Sequence, residues 1–164
     1  MFTIRDIIDL AIQIEENGER VYRKAAQKVS ATSIAALLLQ LADDEVKHAK
    51  WFSDMKEKVT RSVDDSEVEE RGKRVLQGIL GDQSFSLKDA DFASIEEVEG
   101  LLRVAIEFEE DTVLFYEMIR SFVDDKETLD HLDTIIEEEN HHVSLLKRSL
   151  LTLHDSSVLA KTSQ

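Results

Sequence analysis

Two stretches of this chain, 94 residues apart, carry nearly the same side chains in the same order. Ala11, Ile12, Glu15, Glu16 and Tyr22 recur as Ala105, Ile106, Glu109, Glu110 and Tyr116. Leu38, Leu41, Glu45 and His48 recur as Leu132, Ile135, Glu139 and His142. Within each copy the apolar positions advance by alternating steps of three and four, the spacing of one helix face. A duplication of this kind limits the fold before any other feature does. It predicts two copies of one supersecondary unit, and the helical period makes that unit a pair of helices. Amphipathicity alone repeats leucines; it does not repeat acids in register.

The 164 residues suit one domain with a sizeable core, and the absence of proline permits long helices. Periodicity predicts four, at Thr3–Val29, Thr32–Val59, Ser94–Val123 and Asp125–Leu153. Ser94 with Glu97, and Asp124 with Glu127, have the spacing of capping boxes. The joints near "KVSATS" and "FVDDKE" are short, so each helix pair folds back as an antiparallel hairpin. The expected fold class is therefore all-α, a four-helix bundle with hairpins at 3–59 and 94–153. A crossover at 60–93 is long enough to return along the bundle, with a short extra helix opened by Ser66 and Glu69 followed by loop. The domain closes near residue 155, and the polar residues 156–164 are expected to fray.

The buried stripe of the first helix reads Ile4, Ile8, Ala11, Glu15, Gly18, Tyr22, Ala25, Val29. The second reads Ile34, Leu38, Leu41, Glu45, His48, Phe52, Met55, Val59. The third reads Val98, Leu102, Ala105, Glu109, Thr112, Tyr116, Ile119, Val123, and the fourth Thr128, Leu132, Ile135, Glu139, His142, Leu146, Ser149, Leu153. Four glutamates and two histidines thus point inward. Glu15 and Glu45 each lie about fifteen residues from their turn, roughly 22 Å along the helix, so they stand level. Glu109 and Glu139 flank the other turn in the same way, and all six groups should meet near mid-bundle.

Buried carboxylates are costly unless paired, and no Lys or Arg stands on these seams. Two divalent cations balance four carboxylates in charge, with neutral imidazoles completing the shells. Glutamate oxygen with histidine nitrogen, without sulfur, suits iron or manganese; zinc usually takes fewer ligands. The chain has no cysteine, which excludes disulfides and Cys-held metal within it. A formal net charge of −15 argues against nucleic acid or an anionic membrane as partner. No apolar run approaches a membrane span and no signal peptide is visible, so a cytoplasmic protein is expected.

On "AIQIEENGERVYRKAA" with "LADDEVKHAKWF", and "AIEFEEDTVLFYEMI" with "TIIEEENHHVSLL", the chain resembles the ferritin-like superfamily and, within it, the rubrerythrin-type di-iron carboxylate proteins. The resemblance spans about residues 3 to 153. It implies two iron ions as cofactor, with manganese or zinc as substitutes. Glu45 and Glu139 would bridge them, Glu15 and Glu109 would be terminal ligands, and His48 and His142 would serve one metal each. It implies reduction of hydrogen peroxide or dioxygen, or oxidation of ferrous iron. Many such proteins carry a rubredoxin domain with four cysteines; this chain has none, so a separate electron donor protein or reductant is implied. Rubrerythrins also resemble one another in an extra glutamate one turn past the third-helix ligand. That position is Thr112 here, with Gly18 as its repeat partner. Cage-forming ferritins resemble the pattern less well, because the short tail cannot supply their fifth helix.

Tyr22 and Tyr116 stand two turns past Glu15 and Glu109 on the same face, placed to hydrogen-bond ligand carboxylates or relay electrons. Gly18 gives room either for a substrate channel or for a neighbour's bulk. His141 and His131 are expected at the surface or in packing. Trp51 is expected to pack at a helix or dimer interface, in a homodimer. Glu137 and Glu138 are expected on a solvated face, with Glu139 turned inward. The functional reading is a di-iron oxidoreductase. The competing ones are an iron-handling ferroxidase, a di-metal oxygenase and a non-catalytic bundle.

Overall fold

The computed structural model describes residues 4–59 and 95–162. Four helices fill them: α1 (Ile4–Lys28), α2 (Thr32–Val59), α3 (Ile95–Arg120) and α4 (Lys126–Thr162). There is no strand among the described residues. The 60–93 crossover, its short extra helix, the cap at Ser94 and the side chains of Ile4 and Val59 lie outside the described residues.

Burial follows the seams. Every described seam side chain is buried in α1 and α2, and only the ends of the other two seams, Val123, Thr128, Ser149 and Leu153, are half-buried. The apolar core divides into two clusters. One joins Val29, Ile34, Leu38 and Leu41, at the turn of the first hairpin, to Val98, Leu102 and Leu146, at the open end of the second. The other joins Ile7, Ile8, Phe52 and Met55, at the open end of the first, to Ile119 and Leu132, beside the turn of the second. The two hairpins are therefore inverted relative to each other, as a two-fold axis across the bundle would relate them. The end of α2 and the start of α3 lie at opposite ends of the bundle, the arrangement that one long crossover serves.

Three local expectations need correction. The cap of α4 is Asp125, one residue later than the Asp124 pattern suggests. Its Oδ2 accepts from the Thr128 amide at 2.9 Å and from Thr128 Oγ1 at 2.8 Å, and its carbonyl accepts from the Leu129 amide. Asp125→Ala should lower stability by removing the cap, read as a lower melting temperature, while Asp124→Ala should change little. The third helix ends at Arg120, before Val123, because Ser121, Phe122 and Val123 bond back to the third residue before them rather than the fourth. The fourth helix extends past Leu153, its expected end, and runs on to Thr162. No Gly or Pro interrupts it there, and helix propagation adds one hydrogen bond per residue at little cost. Among the described residues no helix is long and apolar enough to cross a membrane.

Candidate metal centre

Between the two apolar clusters lies a polar belt. Glu15 and Glu109 from α1 and α3, and Glu45, His48, Glu139 and His142 from α2 and α4, are each at most 2% exposed. Their ligand atoms fall into two overlapping groups: Glu15, Glu45, His48 and Glu139, and Glu45, Glu109, Glu139 and His142. The six side chains singled out in the sequence are thus brought together, and Glu45 and Glu139 belong to both groups. The two imidazoles lie face to face at 6.0 Å between centroids, with their planes 29° apart.

Glu139 shows how the groups join. Its Oε1 lies 2.9 Å from His48 Nδ1 and its Oε2 lies 3.0 Å from His142 Nδ1, so it gives one oxygen to each histidine. The first of these approaches is not a directed hydrogen bond. His48 Nδ1 and Glu139 Oε1 are both without a hydrogen-bond partner, as are Glu15 Oε2, Glu45 Oε1 and Glu109 Oε2. An orphaned buried polar atom costs about 1–3 kcal/mol, more if charged. A shared cation accounts for such atoms. Two ligand atoms about 2.1 Å from one ion and at right angles are about 3.0 Å apart without facing each other. The donor set fits a dinuclear metal site.

Without a cation the belt must hold protons. Burial, then the neighbouring acids, raises Glu45 well above the usual carboxylate range. Burial and the Glu139 charge raise Glu109 to about 8, against the opposing pull of His142. Burial lowers both imidazoles, but facing carboxylates outweigh it. Glu139 and Glu15 raise His48 to about 11, and Glu109 and Glu139 raise His142 to about 10. Burial would raise Glu139, yet His142 and His48 hold it at about 2.

The inverted hairpins make the supporting contacts cross. The Tyr22 hydroxyl donates to Glu109 Oε1, and the Tyr116 hydroxyl donates to Glu15 Oε1. Each tyrosine therefore pins a carboxylate on the opposite hairpin. The histidines are held in the same crossed way. His48 Nε2 lies 2.8 Å from Glu138 Oε2, and His142 Nε2 lies 3.5 Å from Asp44 Oδ2. An Nε2–H aimed at an acid leaves the Nδ1 lone pair facing the belt.

Asp44 was not singled out in the sequence, and Glu138 was read as solvated. Glu138 is indeed exposed, 55% at its side chain, and from that face it also holds His48. The missed signal was the repeat itself, since Asp44 and Glu138 are partners at the same 94-residue offset, each just before a shared glutamate. Asp44→Ala or Glu138→Ala should weaken cation binding about 10- to 100-fold, measured by equilibrium dialysis, with the helical spectrum unchanged.

The remaining sequence readings resolve locally. A Cβ on Gly18 would sit 3.2 Å from Glu45 Cδ and 3.3 Å from Phe108 Cε1, so the room goes to a neighbour's bulk. Thr112 is buried and donates to the Phe108 carbonyl at 2.9 Å. His141 and His131 are exposed. Lys56 pairs with Asp9 and Arg120 with Asp133, tying each hairpin at its surface, where such pairs contribute little.

A family model described as rubrerythrin matches residues 6–150. A crystal structure from Thermotoga maritima, described as a ferritin-like diiron-carboxylate protein, is similar with a TM-score of 0.62 and 22% identity. The match covers 95% of this chain and 97% of that one, and it shows the same fold. No curated protein matches the chain significantly.

Proposed function

This chain belongs to the rubrerythrin family, and we propose that it is a di-iron carboxylate oxidoreductase that reduces hydrogen peroxide or dioxygen. The observation that carries the reading is the pair of four-donor groups sharing Glu45 and Glu139 in a belt at most 2% exposed. Two ferrous ions held there would supply two electrons to a small oxidant. Glu45 and Glu139, common to both donor groups, would help hold both ions, with Glu15 and His48 completing one group and Glu109 and His142 the other. Manganese or zinc would fit the same donors.

The chain's own groups do the rest. Tyr22 and Tyr116 fix the terminal carboxylates and offer a phenolic proton beside the site. Burial keeps bulk water away from the belt. The depth of the belt favours a substrate as small as peroxide or dioxygen over an organic molecule. A pocket at Trp51 and His131 is lined by none of the six donors. Reducing equivalents come from a separate donor.

The competing reading takes ferrous iron itself as substrate. Thr112 and Gly18 favour it, because neither adds a carboxylate that could shift onto a metal during peroxide reduction. Stopped-flow mixing of ferrous-loaded full-length protein with peroxide and, separately, with dioxygen tells them apart. Peroxide should react faster. A much faster reaction with dioxygen would transfer the assignment to ferroxidation.

A further inference from the structure

The duplication makes the two halves of the belt alike, so a place where they differ is informative. Tyr22 and Tyr116 are repeat partners with equivalent carboxylate contacts. Tyr22 meets the half-buried Phe108 edge-on at 6.4 Å, whereas beyond Tyr116 an aromatic series leads outward to the chain's one tryptophan. The Tyr116 ring lies 4.9 Å from Phe52, and Phe52 lies 5.0 Å from Trp51, centroid to centroid. Trp51 is half-buried and stacks on exposed His131 at 5.9 Å with the rings 11° apart. Both line a pocket of about 470 Å³ together with Asp54, Met55 and Lys58. The repeat partners of Trp51 and Phe52 are Leu145 and Leu146, which have no π system. Tyr22 belongs to the opposite apolar cluster, across the belt from Trp51, Phe52 and Tyr116. The chain has one tryptophan and two tyrosines, so Trp51 is its one oxidisable ring besides the phenols.

We propose that Trp51 exchanges single electrons with Tyr116 across Phe52, making the pocket at Trp51 and His131 the port through which a soluble one-electron reductant serves the metal centre. The purpose of this path rests on the oxidoreductase reading; the transfer itself does not. Reducing dioxygen to water takes four electrons and two ferrous ions provide two, so such a site needs a further supply. Tyr116 gives one electron toward the centre as its phenolic proton moves along the hydrogen bond to Glu15 Oε1. Trp51 then gives one electron to the Tyr116 radical, against the favoured direction between the two, and the proton returns from Glu15 to restore the phenol; capture of the oxidised indole by the external reductant draws this step forward. The oxidised indole takes one electron from the reductant, of the ascorbate class, which is itself oxidised by one electron. The protein ends unchanged.

Pulse radiolysis of the full chain loaded with zinc tests this, because zinc has no redox chemistry of its own. Azide radical oxidises Trp51, and absorbance follows what the indolyl radical does next. Tyrosyl absorption should grow in as indolyl decays, persist in Tyr22→Phe, and be lost in Tyr116→Phe. Phe52→Leu, which copies Leu146 and leaves both radicals' parents in place, should slow the growth. No tyrosyl growth in the wild type, growth that survives Tyr116→Phe, or an unchanged rate in Phe52→Leu would overturn the path. None of these outcomes depends on which oxidant the iron-loaded site reduces, so a failure here is separable from a failure of the oxidoreductase reading.

Discussion

A chain carrying Glu139→Gln is expected to lose both cations, while Glu15→Gln keeps one. Glu139 belongs to both donor groups and turns one oxygen to each histidine, at 2.9 Å from His48 Nδ1 and 3.0 Å from His142 Nδ1. Glutamine has the same shape but replaces one of those oxygens with an NH₂ that faces a cation, and it removes the charge. Glu45 is shared in the same way, so Glu45→Gln should behave alike. Glu15 belongs to one group only, and its loss leaves Glu45, Glu109, Glu139 and His142 in place. Removing one partner of a buried charge pair costs about 3–5 kcal/mol, more than about a hundredfold in affinity. Equilibrium dialysis against manganese, with circular dichroism to confirm folding, reads the stoichiometry. A Glu139→Gln chain that still binds two ions would show that the belt does not hold them.

The second large effect is in pH. Metal-free protein should lose thermal stability between about pH 6 and about pH 9, whereas metal-loaded protein should not. Glu45 and Glu109, raised by burial, and His48 and His142, raised by their carboxylate neighbours against burial, all have folded-state values above their unfolded ones. The folded state therefore binds more protons than the unfolded chain, and stability falls with rising pH by about 1.4 kcal/mol per unit for each excess proton. The Glu109 contribution is full below its ordinary value of 4.5 and gone above about 8. The imidazole contributions are full below 6.5 and decline up to about 11 for His48 and about 10 for His142. Glu139 runs the other way, but its contribution is lost only between 4.5 and about 2, below this window. A cation replaces these protons. Binding at neutral pH should release one each from His48, His142 and Glu109, and affinity should rise with pH. Calorimetric melts with and without chelator across the window check both curves. A metal-free melting temperature that stays level would mean the belt is not protonated in this way.

Much of this was legible in the sequence because the duplication repeats chemistry as well as hydrophobicity. The period placed Glu15, Glu45, His48, Glu109, Glu139 and His142 on inward faces, and equal distances from the turns placed them level; the folded chain brings them together. Helix α2 begins at Thr32 and ends at Val59, as its pattern suggests. What escaped notice depended on three-dimensional direction. Asp44 and Glu138 sit about 100° off the seam, where a helix reading assigns solvent, yet an imidazole on the neighbouring hairpin extends its far nitrogen to that edge. The adjacent aspartates 124 and 125 fit capping rules almost equally, and the choice between them is made by which carboxylate meets the Thr128 amide. The continuation of α4 past Leu153 has no strong periodic signal, and polar composition is a poor guide to where a helix stops once no breaker intervenes.

Anomalous diffraction from crystals of the full chain, grown without oxygen from protein loaded with ferrous iron, tests the central claim most directly. The account predicts two peaks at the iron edge within the belt, flanked on both sides by Glu45 and Glu139, each beside the Nδ1 of one histidine. A single peak, or iron found only among the exposed acids with the belt empty, would contradict it.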